Sequence, residues 1–152
     1  MSEHALTDPP PILLEGRVGR LGTSREDEPY VVPISFVWHD GIIYFHGSRS
    51  GRKMTNLQQN PRVCLEVDES EFVPGDDPCK LHFTYRSAIA RGRARLVHDP
   101  DERLRALRLL SNKYAPGTGD SLTPGIVAGY ENLAVIAIDV DVVTARQDPP
   151  KE

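Results

Sequence analysis

The dipeptide Asp40-Gly41 constrains this chain more than any other pair of residues. It lies between two short apolar runs, where Asp-Gly specifies a two-residue turn whose twist matches antiparallel strands. Before it, Ile34, Phe36 and Trp38 fall at alternate positions. After it, Ile42 to His46 returns as the partner strand. A hairpin here commits the middle of the chain to antiparallel pairing.

The return strand runs into Gly47-Ser48-Arg49-Ser50-Gly51-Arg52-Lys53 and then a helix-compatible segment, Met54 to Gln59, closed by Asn60-Pro61. The residue before a proline avoids helical angles, so the helix is short. Unpaired amides and the helix dipole favour an anion at such a start, and Arg52 or Lys53 adds a charge-assisted contact. This pattern predicts a phosphorylated cofactor. A capped surface helix with solvated cations is compatible with the same residues, and the spacing is not that of a Walker loop.

The rest of the chain repeats the antiparallel theme. Gly16 to Ser24 reads as a first strand, Arg25 to Pro29 as a charged turn, and Tyr30-Val31-Val32 as the start of the next strand. Pro33 marks that strand as an edge. Val63, Leu65 and Val67 alternate with polar residues, and Glu69 to Pro78 reads as a loop. Lys80 to Val97 is the longest extended stretch, with Ala88, Ala90, Gly92 and Ala94 on one face and a bend expected near Ser87 or Gly92. Asp99-Pro100-Asp101-Glu102 starts a helix, with Asp99 as cap and Glu102 as the reciprocal acid. Leu104, Leu107, Leu110 and Tyr114 give its stripe, and Gly117 to Gly129 is a loop or broken helix. Leu133 to Val143 is a last strand with Ile136, Ile138, Val140 and Val142 on one face.

The expectation is a mainly β domain over residues 15–144, an antiparallel barrel of about six strands with peripheral helices. Residues 1–14, with Pro9-Pro10-Pro11, read as a flexible arm and 145–152 as a frayed tail.

Charge and motifs narrow the function. A net charge of -4 and a pI near 5.7 disfavour nucleic acid as a partner. No apolar run reaches the ~20 residues that span a bilayer, and the amino terminus lacks a secretory pattern, so the cytoplasm is the default compartment. Cys64 and Cys79 make no disulfide framework. Cys79 and His82 fall on opposite strand faces, which argues against a metal pair. His46 alone reads as a packing residue. Arg86-Ser87, and Arg91, Arg93 and Arg95, read as exposed strand positions.

Taken together, four segments resemble the FMN-binding split-barrel flavoproteins related to pyridoxamine 5'-phosphate oxidase, and within them the Nim-type 5-nitroimidazole resistance branch. They are Gly16 to Thr23, Pro29 to Val37, Ile43 to Lys53, and Tyr85 to Ile89 with Gly92 to Val97. The helix end Lys113-Tyr114-Ala115-Pro116 fits the same pattern. The resemblance implies a six-stranded antiparallel split β-barrel that forms a homodimer, with FMN at the subunit interface. It implies that Val32, Pro33, Ile34 and Ser35 run along the flavin ring and that Phe45, His46 and Gly47 approach it. Ser50, Arg52 and Lys53 would hold the phosphate, with Arg86 and Ser87 adding phosphate or ribityl contacts. The helix that relatives place before the first strand is expected to be replaced by the triple-proline arm.

The activity implied is an FMN-dependent oxidoreductase passing electrons from NAD(P)H to a small acceptor such as a nitroaromatic, with His46 as the group nearest the reactive face. The alternatives are a non-catalytic module that binds flavin or haem, a deazaflavin in place of FMN, and a cofactor-free structural dimer.

Overall fold

The structure, a computed structural model, describes residues 1–149. In chain order it runs β1 (Ser2–His4), α1 (Pro11–Glu15), β2 (Gly19–Arg25), β3 (Glu28–Ile34), β4 (Val37–His39) and β5 (Ile42–Ser48). It continues with α2 (Arg52–Gln59), β6 (Arg62–Val73), β7 (His82–Leu96), α3 (Pro100–Tyr114), a 3-10 turn (Thr118–Ser121), α4 (Pro124–Ala128) and β8 (Leu133–Asp148). All strand pairs are antiparallel, in the order β3-β2-β6-β7-β8-β5-β4, with β1 beside β8.

The hairpin at Asp40-Gly41 forms as expected, both residues having positive φ (48° and 79°), and it pairs Val37 with Tyr44. The charged turn does the same at Glu26 and Asp27. β3 is an edge strand and carries both Pro29 and Pro33, consistent with their missing amide donors.

The strand count is eight rather than six. The second expected strand breaks into β3 and β4 at Ser35-Phe36. There the Phe36 N–H donates to the Tyr114 hydroxyl (2.9 Å) and its carbonyl accepts from Lys113 Nζ (2.9 Å), so α3 takes the place of a ladder partner. The other addition is β1, whose Ser2–His4 pairs with Val143–Ala145 beyond the reach of β5. The amino-terminal segment is therefore strand and helix, not an extended arm. In α1, Pro11 occupies the first turn, and Ile12 and Leu13 are buried. The expected tail is also strand as far as Asp148, and positions 150–152 lie outside the described residues. Likewise β6 continues through the expected loop to Val73.

The sheet is open, its end strands β3 and β4 being unpaired with each other, yet it wraps one core. Leu21, Ile34, Ile43, Phe45, Leu65, Ala90 and Ile138 belong to a single buried cluster although they come from both ends of the strand order. β8 is buried on both faces. Ile136 and Ile138 face that core, while Val135 and Ala137 pack with Leu107 and Leu110 of α3. A bulge skips Asp141, so Arg91 pairs with Val142 and Gly92 with Val140. The skip shifts the face pattern: Val143, not the expected Val142, is fully buried.

The side chain of Asp99 caps α3 by accepting from the Glu102 N–H (2.9 Å). The carboxylate of Glu102 does not complete the expected capping box. It accepts from Arg95 Nη2 (2.8 Å) and from the hydroxyl of the fully buried Tyr44 (2.9 Å), tying α3 to β7 and β5. Arg95 also reaches Asp139 on β8 (2.8 Å). Among the described residues no helix is long and apolar enough to cross a membrane.

Candidate functional site

The start of α2 is bare. Gly51 stands at the cap with φ 113°, no side chain caps the helix, and its first turn holds no acid. An added Cβ at Gly51 would meet nothing within 4 Å, so space is open beside the first amides. The first helical bond runs from Thr55 N–H to Gly51 O (3.0 Å). Amides ahead of it have no intrahelical acceptor. Ser48 and Ser50 stand together at the same place, their hydroxyls 3.3 Å apart.

The two cations differ. Arg52 Nη2 is paired to Glu28 (2.6 Å) and its guanidinium lies over the Tyr30 ring (4.4 Å), which pins α2 to the edge strand β3. Lys53 turns the other way. Its Nζ lies 5.5 Å from the Phe45 ring centroid, and a Cβ on Gly47 would come within 3.3 Å of it. Among the described residues no carboxylate pairs with Lys53. Burial holds its pKa below the usual lysine value.

Strand alternation separates the neighbouring candidates. Phe45 faces the core shared with α2, whereas Tyr44 faces α3, so His46 lies on the α3 side. It lines a cleft of about 550 Å³ with Ser35, Tyr114 and residues of the 117–133 segment. Partial burial, and after it the Lys53 ammonium, hold the His46 imidazole below its ordinary pKa, so the ring is neutral at pH 7. Val32, Pro33 and Ile34 pair with Leu21, Arg20 and Gly19, and the far edge of β3 meets no other strand.

Arg86 and Ser87 are elsewhere. His46 is opposite Val135 and Ser87 opposite Arg146, eleven residues further along β8. The Arg86 guanidinium is bound to Glu15 (2.7 Å) and Glu69 (2.8 Å), and both residues line a separate cleft with β1 and α1.

The sequence reading puts Tyr114 in the helical stripe and Lys113-Tyr114 in the family pattern, but gives neither a place in the site. Lys113 Nζ donates to the carbonyls of Gly16 (2.6 Å) and Phe36 (2.9 Å) and lies over the Phe36 ring (3.8 Å). Burial, followed by Arg17, pushes its pKa down to about 8. The Tyr114 hydroxyl donates to Arg17 O (2.7 Å) while accepting from Phe36 N. These bonds lock the Ser35-Phe36 break against α3 and so fix one wall of the cleft. Lys113→Met leaves two carbonyls without this donor and is expected to cost about 2 kcal/mol, read as a lower urea midpoint with an unchanged slope. A basic residue in the last helical turn is ordinarily a dipole contact. Nothing local signals carbonyls contributed from residues 16 and 36.

The residues present fit a phosphorylated, ring-bearing cofactor. The bare amides, two hydroxyls and the Lys53 ammonium are the groups that could hold its phosphate, and the unpaired edge of β3 is where backbone groups could meet a polar ring. The profile of the pyridoxamine 5'-phosphate oxidase family matches residues 11–147. An uncharacterised protein of Rhizobium meliloti is 27% identical over 142 residues, covering 89% of this chain and 87% of that one. Among solved structures, a Bacteroides thetaiotaomicron protein provisionally assigned to 5-nitroimidazole antibiotic resistance is 26% identical with a TM-score of 0.74. That alignment covers 89% of this chain and 79% of the other. A flavocytochrome from Azotobacter vinelandii is 25% identical, also with a TM-score of 0.74, over 93% of this chain and 67% of its own.

Proposed function

Because the chain belongs to the pyridoxamine 5'-phosphate oxidase family, we propose that it is a cytoplasmic FMN-dependent oxidoreductase that passes electrons from NAD(P)H to a small acceptor. The observation that carries this reading is the uncapped start of α2 with Lys53 beside Gly47. The α2 amides, Ser50 and Lys53 hold the phosphate, with Arg52 secondary because Glu28 already engages it. Val32 to Ser35 would line the ring along the open edge of β3, and the backbone of Phe45, His46 and Gly47 would approach it from β5, the Phe45 side chain being buried in the core. When bound, the flavin supplies the electron transfer, and the protein orients it and sets its surroundings. The His46 imidazole, neutral at pH 7, donates an N–H to the acceptor rather than releasing a proton to it. The working unit is a homodimer, so that Arg86 and Ser87 reach a flavin across the interface. Light scattering is expected to give twice the 16.9 kDa chain mass.

The decisive experiment is a visible spectrum of the FMN-loaded protein before and after anaerobic NADPH. Flavin bands that bleach support an oxidoreductase. A protein that takes up no FMN defeats the reading. The flavocytochrome likeness keeps one rival in view, a module that holds flavin or haem without turnover. A Soret band, or a flavin that no nicotinamide reduces, would select it.

The pair His46–Lys53 gives a pH test independent of turnover. In the cofactor-free protein the His46 ring protons are expected to titrate by NMR below the usual histidine value near 6.5. In Lys53→Met that titration moves to higher pH, because a like charge that opposed protonation has gone.

A further inference from the structure

Apart from Ser35 and His46, the cleft on the α3 side of β5 is lined by residues that the flavin reading does not use. Its floor is Leu107, Leu110 and Leu133, and its rim is Leu122 and Tyr130. Its polar lining residues are Ser35, His46, Ser111, Tyr114 and Thr118; the Tyr114 and Thr118 hydroxyls already donate to Arg17 O and Ala115 O, which leaves Ser35, His46 and Ser111 as donors. No lysine, arginine, aspartate or glutamate lines it among the described residues, and its one titratable base is held neutral at pH 7. At about 550 Å³ it lies within the range of small-molecule sites.

The rim is built to stay in place. Arg108 donates through Nη2 to the Leu122 carbonyl (2.7 Å), Arg103 to that of Tyr130 (3.0 Å), and Arg49 through Nε to that of Glu131 (2.6 Å). These three cations grip the 117–132 segment by its backbone. Their charge is directed at carbonyls, and none of the three lines the cleft.

We propose that this cleft is the acceptor site, that Leu122 and Tyr130 set its selectivity, and that it takes an uncharged ring-sized molecule and turns away a phosphorylated one. A largely apolar lining with Ser35, His46 and Ser111 as neutral donors rewards a flat molecule carrying one carbonyl-type or similar acceptor. A phosphate dianion placed here would lose its hydration and find no cation in the lining. The chain thereby differs in substrate class from what its family's name describes. The inference rests on the flavin reading for the word acceptor, but not for the binding itself.

The test uses the full chain, loaded with FMN, and two probes measured by calorimetry: menadione, an uncharged two-ring quinone, and pyridoxamine 5'-phosphate. Menadione is expected to bind at least ten times more tightly. Tyr130 is exposed and Leu122 partly buried against the α3 cluster; Tyr130→Ala and Leu122→Arg should each weaken menadione at least tenfold, with unchanged far-ultraviolet dichroism and FMN affinity showing that each variant is folded. Leu122→Arg should also strengthen pyridoxamine 5'-phosphate binding. Equal or tighter binding of the phosphorylated probe by the unaltered protein overturns the proposal, as does menadione binding indifferent to both variants. A fall in FMN affinity in either variant would make the cleft part of the flavin site and overturn it too. If the protein takes up no FMN, the flavin reading has failed, and the same comparison on the cofactor-free chain still decides the cleft.

Discussion

Lys53→Ala is expected to raise the FMN dissociation constant by about 10- to 100-fold, the range of a lost charge-assisted hydrogen bond. The physical reason is that the ammonium lies at a helix start that supplies amides but no side-chain cap, so the phosphate has no other cation turned toward it from this segment. Arg52→Ala should weaken FMN only a few-fold, because the guanidinium is stacked on Tyr30 and paired with Glu28. Its phosphate contact would first require that pair to open. Riboflavin, which lacks the phosphate, provides the internal control: its affinity should be nearly the same in the unaltered protein and in Lys53→Ala. Equal loss for riboflavin and FMN would place the effect on the ring and move the phosphate elsewhere. Alkaline pH should mimic the substitution earlier than for an ordinary lysine, since burial lowers the pKa of Lys53 and the neutral amine cannot hold the dianion.

Gly92→Ala is expected to destabilise the fold by about 3 kcal/mol or more, the upper end of overpacking in a rigid core. A Cβ there would lie 2.2 Å from the carbonyl oxygen of Asp139 and 2.9 Å from the Cα of Val140. Both belong to the backbone of β8 at the point where the ladder with β7 shifts register. No side chain can swing away to relieve the contact, so the two central strands must separate. Gly125→Ala is the matched control. Its Cβ would meet only the Thr123 hydroxyl oxygen, at 4.0 Å, in the short helix α4, and the change should be neutral or stabilise by up to about 1 kcal/mol. Thermal unfolding of both variants decides the matter. A Gly92→Ala protein melting with the unaltered chain would show that the bulge does not need the close approach.

The residues that were legible in sequence share a property: their signal is local. Asp40-Gly41 turns because of its own φ preferences. Asp99 caps because the amide it binds is three residues on. Pro33 marks an edge because it has no N–H to give a second strand. Of the two places where a bend is expected in the long strand, Ser87 and Gly92, a register shift falls at Gly92, and the skipped residue is Asp141 on the other strand. Where the reading failed, the deciding partner was remote. Glu102 has the position of a capping-box acid, yet Arg95 and Tyr44 offer it stronger partners. The triple proline suggested a loose arm, but Pro11 opens a helix because Ile12 and Leu13 find the core waiting.

The candidate site divides in the same way. The order of glycines, serines and cations ahead of Met54 suggests an anion site, since amides at a helix start and a nearby ammonium need nothing from elsewhere, but the same order is compatible with a solvated surface helix. Sequence alone could not rank Arg52 against Lys53. That depends on Glu28 and Tyr30, which β2–β3 pairing carries to the start of α2. Alternation alone puts His46 and Phe45 on opposite faces of their strand, but does not show that one face turns toward α3 and the other toward α2. Short-range stereochemistry and periodicity account for the Asp40-Gly41 turn, the Asp99 cap and the alternation within each strand. The cleft, the broken strand at Ser35-Phe36 and the Lys113 clamp were decided only when folding brought distant polar groups together, because a buried carbonyl or ammonium takes whichever partner the packed chain presents.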